Sequence, residues 1–113
     1  MNSAYTRAQA IRDRVLIDLS QIDSMRRGWI IPIACTGAVW SIIDQAAHGA
    51  GDDVSRICND IATMAKFSFS QRPEVHLLCC KVFIMGIGYT FKLCLDSGDA
   101  REPVLTLMLT GEH

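Results

Sequence analysis

The sequence lacks an excess of charge of either sign, and it has few aromatic residues. Lysine and arginine number 11 against 12 aspartates and glutamates, which gives a net charge of −1, and 7% of the residues are aromatic. A nearly neutral chain has no overall attraction for nucleic acid or for an anionic membrane. The basic residues are also not interleaved with aromatic side chains that would stack on bases. These absences argue against nucleic acid as a partner.

An even number of cysteines and a secretory signal are also missing. The N-terminal residues MNSAYTRAQA have no apolar run behind their basic residue, so we expect no signal peptide. Five cysteines, of which Cys79 and Cys80 are adjacent, form a poor basis for a disulfide framework. We therefore expect reduced and mostly buried thiols in a cytoplasmic protein.

The longest uncharged run is too short for a typical membrane span. Residues 28–43 read GWIIPIACTGAVWSII and contain Pro32. As a helix they would extend about 24 Å, whereas the hydrocarbon core of a bilayer is about 30 Å thick. We interpret the run as a buried core helix. The alternative is a short membrane-associated protein with a span at 28–43.

The residues that are present are typical of one small folded domain. Half of the 113 residues are hydrophobic and a fifth are charged, which argues against disorder. The length provides for one hydrophobic core, so we predict a single domain over 1–113. Its hydrophobic period changes from three or four residues to two near Gly86 and Gly88, which predicts helices first and strands afterwards.

The helical part of the pattern predicts three to four N-terminal helices. Apolar residues at steps of three and four favour helices over about 4–26, 32–47 and 53–66. A fourth helix over 73–85 is the preferred interpretation of an ambiguous segment. The alternative there is a strand that turns back at Gly86-Ile87-Gly88.

The alternating part predicts strands over about 89–95 and 104–110. These two strands would form a C-terminal antiparallel β-hairpin packed against the helices, which makes the predicted fold class α+β. Two strands alone are marginally stable and leave a sheet edge open. An open edge would allow another protein, or a second copy in a homodimer, to pair with it.

Motifs for catalysis are missing. The cysteines lie in apolar patterns, where burial makes a thiol inert, and no G-x-S-x-G sequence is present. Gly86-Ile87-Gly88 lacks the third glycine of a dinucleotide-binding loop. We therefore predict no enzymatic activity and no cofactor.

The closest approach to a metal motif is His76, Cys79 and Cys80. On a helix these residues share a face, so their imidazole and thiolates would reach one zinc ion. A structural zinc site needs a fourth ligand, and small core cysteines are the more common explanation. A thiol- or zinc-binding protein is thus an alternative function.

The preferred function is that of a small regulatory protein that occupies the surface of another protein. Inhibitors, adaptors and immunity-type proteins have this profile, which is also common among phage and mobile-element accessory proteins. Arginine is favoured at protein interfaces. The candidate binding residues are four arginines on the predicted first helix or near its end: Arg7, Arg14, Arg26 and Arg27.

Overall fold

The fold combines a mixed sheet with three helices. The computed structural model describes residues 5–20, 22, 31–50 and 54–112. Within these ranges the elements follow the order α1 (Arg7–Arg12), β1 (Leu16–Asp18), β2 (Ile33–Thr36), α2 (Gly37–Ala50), α3 (Val54–Gln71), β3 (Leu77–Ile84), β4 (Ile87–Ser97) and β5 (Pro103–Leu109).

The last strand of the chain occupies the centre of the sheet. The strand order is β1-β2-β5-β4-β3, and β5 pairs parallel with β2 and antiparallel with β4. Leu105 lies between Ile33 on one side and Leu95 on the other. Residues 104–107 are all buried, as is typical of a strand covered on both faces.

Helices α2 and α3 cover one face of the sheet and enclose the core with it. Ile43 of α2 and Ile61 of α3 are fully buried, and so are Phe91 and Leu93 of β4. Alternate residues of the same strands point to the opposite face. There α1 packs through its buried Ala10 and hydrogen bonds to β5.

The prediction of a long first helix is wrong. α1 ends at Arg12, Arg14 has a φ of 63°, and Leu16–Asp18 forms β1 beside β2. A residue in the left-handed conformation ends a helix, and the chain then changes direction. Leu19 is fully buried, as the helical stripe would have had it, and Ile17 packs against the same core from the extended segment. Residues 4, 21 and 23–26 of the predicted helix lie outside the described residues.

The helix predicted over 32–47 is divided between a strand and a helix. Residues 33–36 form β2, with Ile33 and Cys35 buried, and α2 begins only at Gly37. A continuous apolar run does not distinguish a buried strand from a buried helix, which explains the error. In the described part of the chain, no helix is long and apolar enough to cross a membrane.

The helix predicted over 73–85 is also wrong. Residues 77–84 form β3, which pairs antiparallel with β4 from Leu77↔Cys94 to Ile84↔Ile87. Buried Cys80, Val82 and Ile84 alternate with exposed residues, which is the period of a strand. Pairing with β4 therefore overrode a local spacing that fitted either structure.

The predicted class, α+β, agrees with the structure, but the predicted arrangement of elements is wrong. Helix α3 begins at Val54, covers the rest of the helix predicted over 53–66 and continues to Gln71. β4 and β5 pair where strands were predicted over 89–95 and 104–110. These two strands belong to a five-stranded sheet, however, and are not an isolated hairpin. Strands β1 and β2 lie between α1 and α2 in the chain. The helices are therefore not grouped before the strands, as the prediction required.

The turn between β3 and β4 holds a non-glycine residue in a left-handed conformation. Met85 has a φ of 56° and Gly86 a φ of 78°, as in the tightest two-residue hairpins. Such turns prefer Asn-Gly, because asparagine tolerates positive φ better than other side chains. Met85, which is 50% exposed, gains little from burial in return.

We expect Met85→Asn to stabilise the protein. Relief of backbone strain at this position should raise the free energy of unfolding by about 0.5–1 kcal/mol, which is part of the cost of a left-handed residue. Urea denaturation followed by circular dichroism measures the change. Met85→Ala is the matched control, since it removes the side chain but keeps the strain. Equal stability of the asparagine and alanine variants would contradict the prediction.

Candidate interaction surface

Strand β3 forms a long, open edge of the sheet. No other described strand pairs with its outer side. Ile84 and Ile87 close a two-residue turn, and the Leu95 N–H donates to His76 O at 2.8 Å at the other end of the ladder. Since hydrogen-bonded pairs alternate along an antiparallel ladder, the even-numbered residues of β3 bond to β4. The N–H and C=O groups of the odd-numbered residues 77–83 therefore point outward.

The opposite edge of the sheet is much shorter. Strand β1 has three residues, whereas β3 has eight. Short edge strands, prolines, bulges and charges are the usual protection against unwanted pairing. β3 contains no proline or bulge over Leu77–Ile84, and Lys81 is its only charged residue. β3 is thus the edge available for another strand.

Large apolar side chains are exposed around this edge. Eight large apolar residues in the described part of the chain are exposed, and six of them lie on β3, on its turn or on α3 above it. We call these six residues the edge patch: Met64, Phe67, Leu77, Phe83, Met85 and Ile87. Phe83 is 63% exposed and Leu77 57% exposed. Clustered exposure of this kind is typical of a surface that contacts another protein.

Lys81 and Phe83 cover the glycine on the neighbouring strand. A Cβ atom added to Gly88 would lie 2.7 Å from Lys81 Cε and 3.1 Å from Phe83 Cε1. The Lys81 ammonium lies 5.4 Å from the centroid of the Phe83 ring, within the range of a cation–π interaction. The missing side chain at Gly88 thus leaves room for both side chains to lie over β4.

The structure describes two of the four arginines predicted to bind a partner. Arg14 is exposed in the turn after α1, whereas Arg26 and Arg27 lie outside the described residues. Arg7 and Arg14 do not share a helix face, because α1 ends at Arg12. A role for these arginines in partner binding stays a prediction.

Arg7 is half-buried and is hydrogen bonded within the protein. Its guanidinium donates to Thr106 Oγ1 at 2.7 Å and to Leu105 O at 2.9 Å. The Asp99 carboxylate accepts from the backbone N–H groups of Arg7 and Ala8, which lowers the pKa of Asp99. Arg7 therefore attaches α1 to the central strand.

The proposed metal ligands do not converge. Cys79 and Cys80 are neighbours on a strand, so their side chains point to opposite faces; Cys79 is exposed and Cys80 is buried. Across the described residues, no three His, Cys, Asp or Glu side chains are placed to hold a metal. The strand does not bring His76, Cys79 and Cys80 to one face as the predicted helix would have done, and zinc binding by these residues stays a prediction.

Two open cavities lie on opposite faces of the sheet. One, of about 400 Å³, is mostly apolar and lies between α3 and the sheet, beside Phe69 and Leu105. The other, of about 390 Å³, lies under α1 beside Arg7, Asp96 and Thr106. Cys94 and Asp96 both line the second cavity, but burial raises the pKa of the Cys94 thiol, so this thiol is not activated as a nucleophile. The edge patch is thus the more distinctive surface.

Sequence reasoning missed the edge patch because it assigned 73–85 to a helix. The sequence signal for a strand was the β-prone run Val82-Phe83-Ile84 followed by Gly86-Ile87-Gly88, which carried the alternative interpretation of this segment. Comparison with protein-family models, curated proteins and solved structures found no match to this chain.

We expect Arg7→Met to destabilise the protein and Arg14→Met to leave its stability nearly unchanged. Loss of the charged donor to Thr106, whose side chain is buried, should cost about 1–3 kcal/mol. Arg14 is exposed, so its replacement should change the free energy of unfolding by less than about 0.5 kcal/mol. Urea denaturation of both variants measures the difference. Equal stability of the two would show that the Arg7 contacts contribute nothing.

We expect one cysteine to react rapidly in the native protein. Cys79 is exposed, Cys94 is partly covered, and Cys35, Cys58 and Cys80 are buried. Burial raises the pKa of Cys35 to about 12 and that of Cys80 to about 11, which keeps both as thiols near neutral pH. Titration with a colorimetric disulfide reagent should show one fast thiol and the remainder on denaturation. Cys79→Ser should abolish the fast phase; a fast phase that survives would contradict this exposure pattern.

Proposed function

We propose that this is a small protein-binding protein, of the adaptor or inhibitor class, that acts by pairing β3 with an extended segment of another polypeptide. The cytosol is the compartment we propose for it. The observation that supports the proposal is the open, eight-residue edge of β3 with large apolar side chains on both sides.

Strand addition accounts for both the open backbone groups and the exposed apolar side chains of this edge. The outward N–H and C=O groups of β3 would hydrogen bond to the added strand and supply affinity. Side chains that alternate along the edge, such as Leu77 and Phe83, would select the sequence of that strand. An apolar patch without an open edge would not explain the free backbone groups, and an open edge alone would not explain the apolar side chains.

The edge is a better candidate than the N-terminal arginines. The guanidinium of Arg7 already donates hydrogen bonds to Thr106 and Leu105 within the protein. Arg14 lies in the turn that leads to β1, at the other side of the sheet from β3. With strands about 4.8 Å apart, β1 and β3 are separated by about 19 Å, so one small interface would not centre on both.

Phe83→Asp tests the proposal, with Val15→Asp as the matched control. Both residues are large, apolar and more than half exposed, but Val15 precedes β1 and lies far from the edge patch. Both variants should fold as the wild type does, because each adds a charge at an exposed position. Tagged wild type and both variants are used to capture binding proteins from the native cells, and each captured protein is purified.

Calorimetry with each purified partner then gives the dissociation constants. Phe83→Asp should weaken binding at least about tenfold, or about 1.4 kcal/mol, while Val15→Asp leaves it unchanged. A partner that binds Phe83→Asp as tightly as the wild type would show that the β3 edge is not the binding surface.

A further inference from the structure

We propose that the polypeptide paired with β3 is a second copy of this chain, in a two-fold symmetric dimer with a continuous ten-stranded sheet. This inference rests on the proposed function of the edge and names its partner. A strand that pairs antiparallel with its own copy forms an isologous interface around a two-fold axis perpendicular to the sheet. That symmetry keeps the helices of both copies on the same face.

One register uses every free backbone group of β3. If Leu77 lies opposite Phe83 of the second copy, Cys79 lies opposite Lys81 and the axis passes between the two Cys80 residues. All outward residues of 77–83 then lie in hydrogen-bonded pairs, with about eight interstrand hydrogen bonds. A shift of two residues in either direction leaves one end of each strand without a partner and loses about two of these bonds.

Charge selects the same register. Lys81 is the only charged residue of β3, and this register places it opposite the uncharged Cys79 of the second copy. A shift of two residues toward the turn would instead place Lys81 directly opposite Lys81 of the second copy. Like charges in directly opposite positions destabilise a sheet. The same register pairs Leu77 with Phe83, an aliphatic with an aromatic side chain, which is a favourable cross-strand pair.

The edge patch is large enough for a dimer of this kind. Its side chains range from 37% exposed at Met64 to 63% exposed at Phe83. With about 150–200 Å² for each large side chain, the patch offers about 500–600 Å² of apolar surface per copy. Two copies together supply about 1,000–1,200 Å², which reaches the size of a specific interface.

Helix α3 adds exposed apolar side chains on the core face of the sheet, whereas Leu77 and Phe83 point to the opposite face of the same edge. The buried residues of α3, such as Ile57 and Ile61, face the sheet, and Phe69 lines the cavity on the side toward β5. At 100° per residue, Met64 lies on the opposite flank of the helix, toward the β3 edge, with Phe67 above it. The two-fold axis would bring this flank of α3 against the same flank of the second copy. The apolar exposure on the helix and on the strand thus belongs to one interface.

A charge-exchange experiment between Leu77 and Phe83 tests the dimer and its register. The two residues are about 20 Å apart within one chain, so charges placed there do not interact within a copy. Within the chain they pair with Cys94 and Gly88, neither of which is charged. Across the proposed axis, however, each residue lies directly opposite the other. The variants are Leu77→Lys, Phe83→Glu and the double variant, with Val15→Glu as the control for an added exposed charge.

Sedimentation equilibrium of the full chain from about 1 to about 300 μM measures self-association over the range of weak to moderate affinity. The wild type and Val15→Glu should form dimers. Each single variant should weaken dimerisation at least about tenfold, and the double variant should restore it to within about threefold of the wild type. A mixture of Leu77→Lys and Phe83→Glu should form a heterodimer, and raising the salt concentration should weaken the restored dimer more than the wild type.

A wild type that remains monomeric throughout this range would overturn the dimer, as would single variants that dimerise normally. A double variant that does not recover would overturn this register. Failure of the dimer or of its register can be distinguished from failure of the proposed function. If the protein is monomeric but Phe83→Asp loses binding to a captured partner, the edge binds another protein and only self-pairing is excluded. If that partner binds Phe83→Asp normally, the proposed function itself is wrong.

Discussion

The pairing of β5 with β2 joins the first part of the chain to the last, and the rest of the structure depends on it. Ile33 and Leu105 are 72 positions apart in the sequence but adjacent in the sheet. Because β5 lies between β2 and β4, residues 104–107 are buried on both faces. Helices α2 and α3 pack on one face of the sheet that this strand completes, and α1 packs on the other face. Pairing over such a separation costs chain entropy. Only the burial of the whole core offsets this cost.

The central position of β5 also determines which edges remain open. Since β4 and β5 are each paired on both sides, the outer edges of the sheet formed by the described strands belong to β1 and β3. The three-residue β1 offers few backbone groups, whereas β3 offers a continuous row with apolar side chains around it. The candidate site is therefore a consequence of the strand order. It combines backbone groups with side chains from two strands and a helix.

Arg7 of helix α1 has a structural role that its sequence context does not indicate. From the sequence, Arg7 is a candidate interface residue, because arginine is favoured at protein interfaces and the residue lies on a long predicted helix. In the structure, its guanidinium bonds to Thr106 and Leu105 of the central strand, and Asp99 binds the first N–H groups of the helix. These contacts join residues more than ninety positions apart. No local pattern reveals them.

The sequence by itself determined the α+β class, the helix around residues 54–71 and the two alternating strands β4 and β5, because local periodicity specifies such elements. It did not determine whether Leu16–Asp18, Ile33–Thr36 and Leu77–Ile84 are strands, since each fits a helical spacing and becomes a strand only by pairing with a distant or neighbouring partner. The edge patch follows from those pairings. Tertiary structure alone decided it, because an edge exists only once the order of the strands is settled.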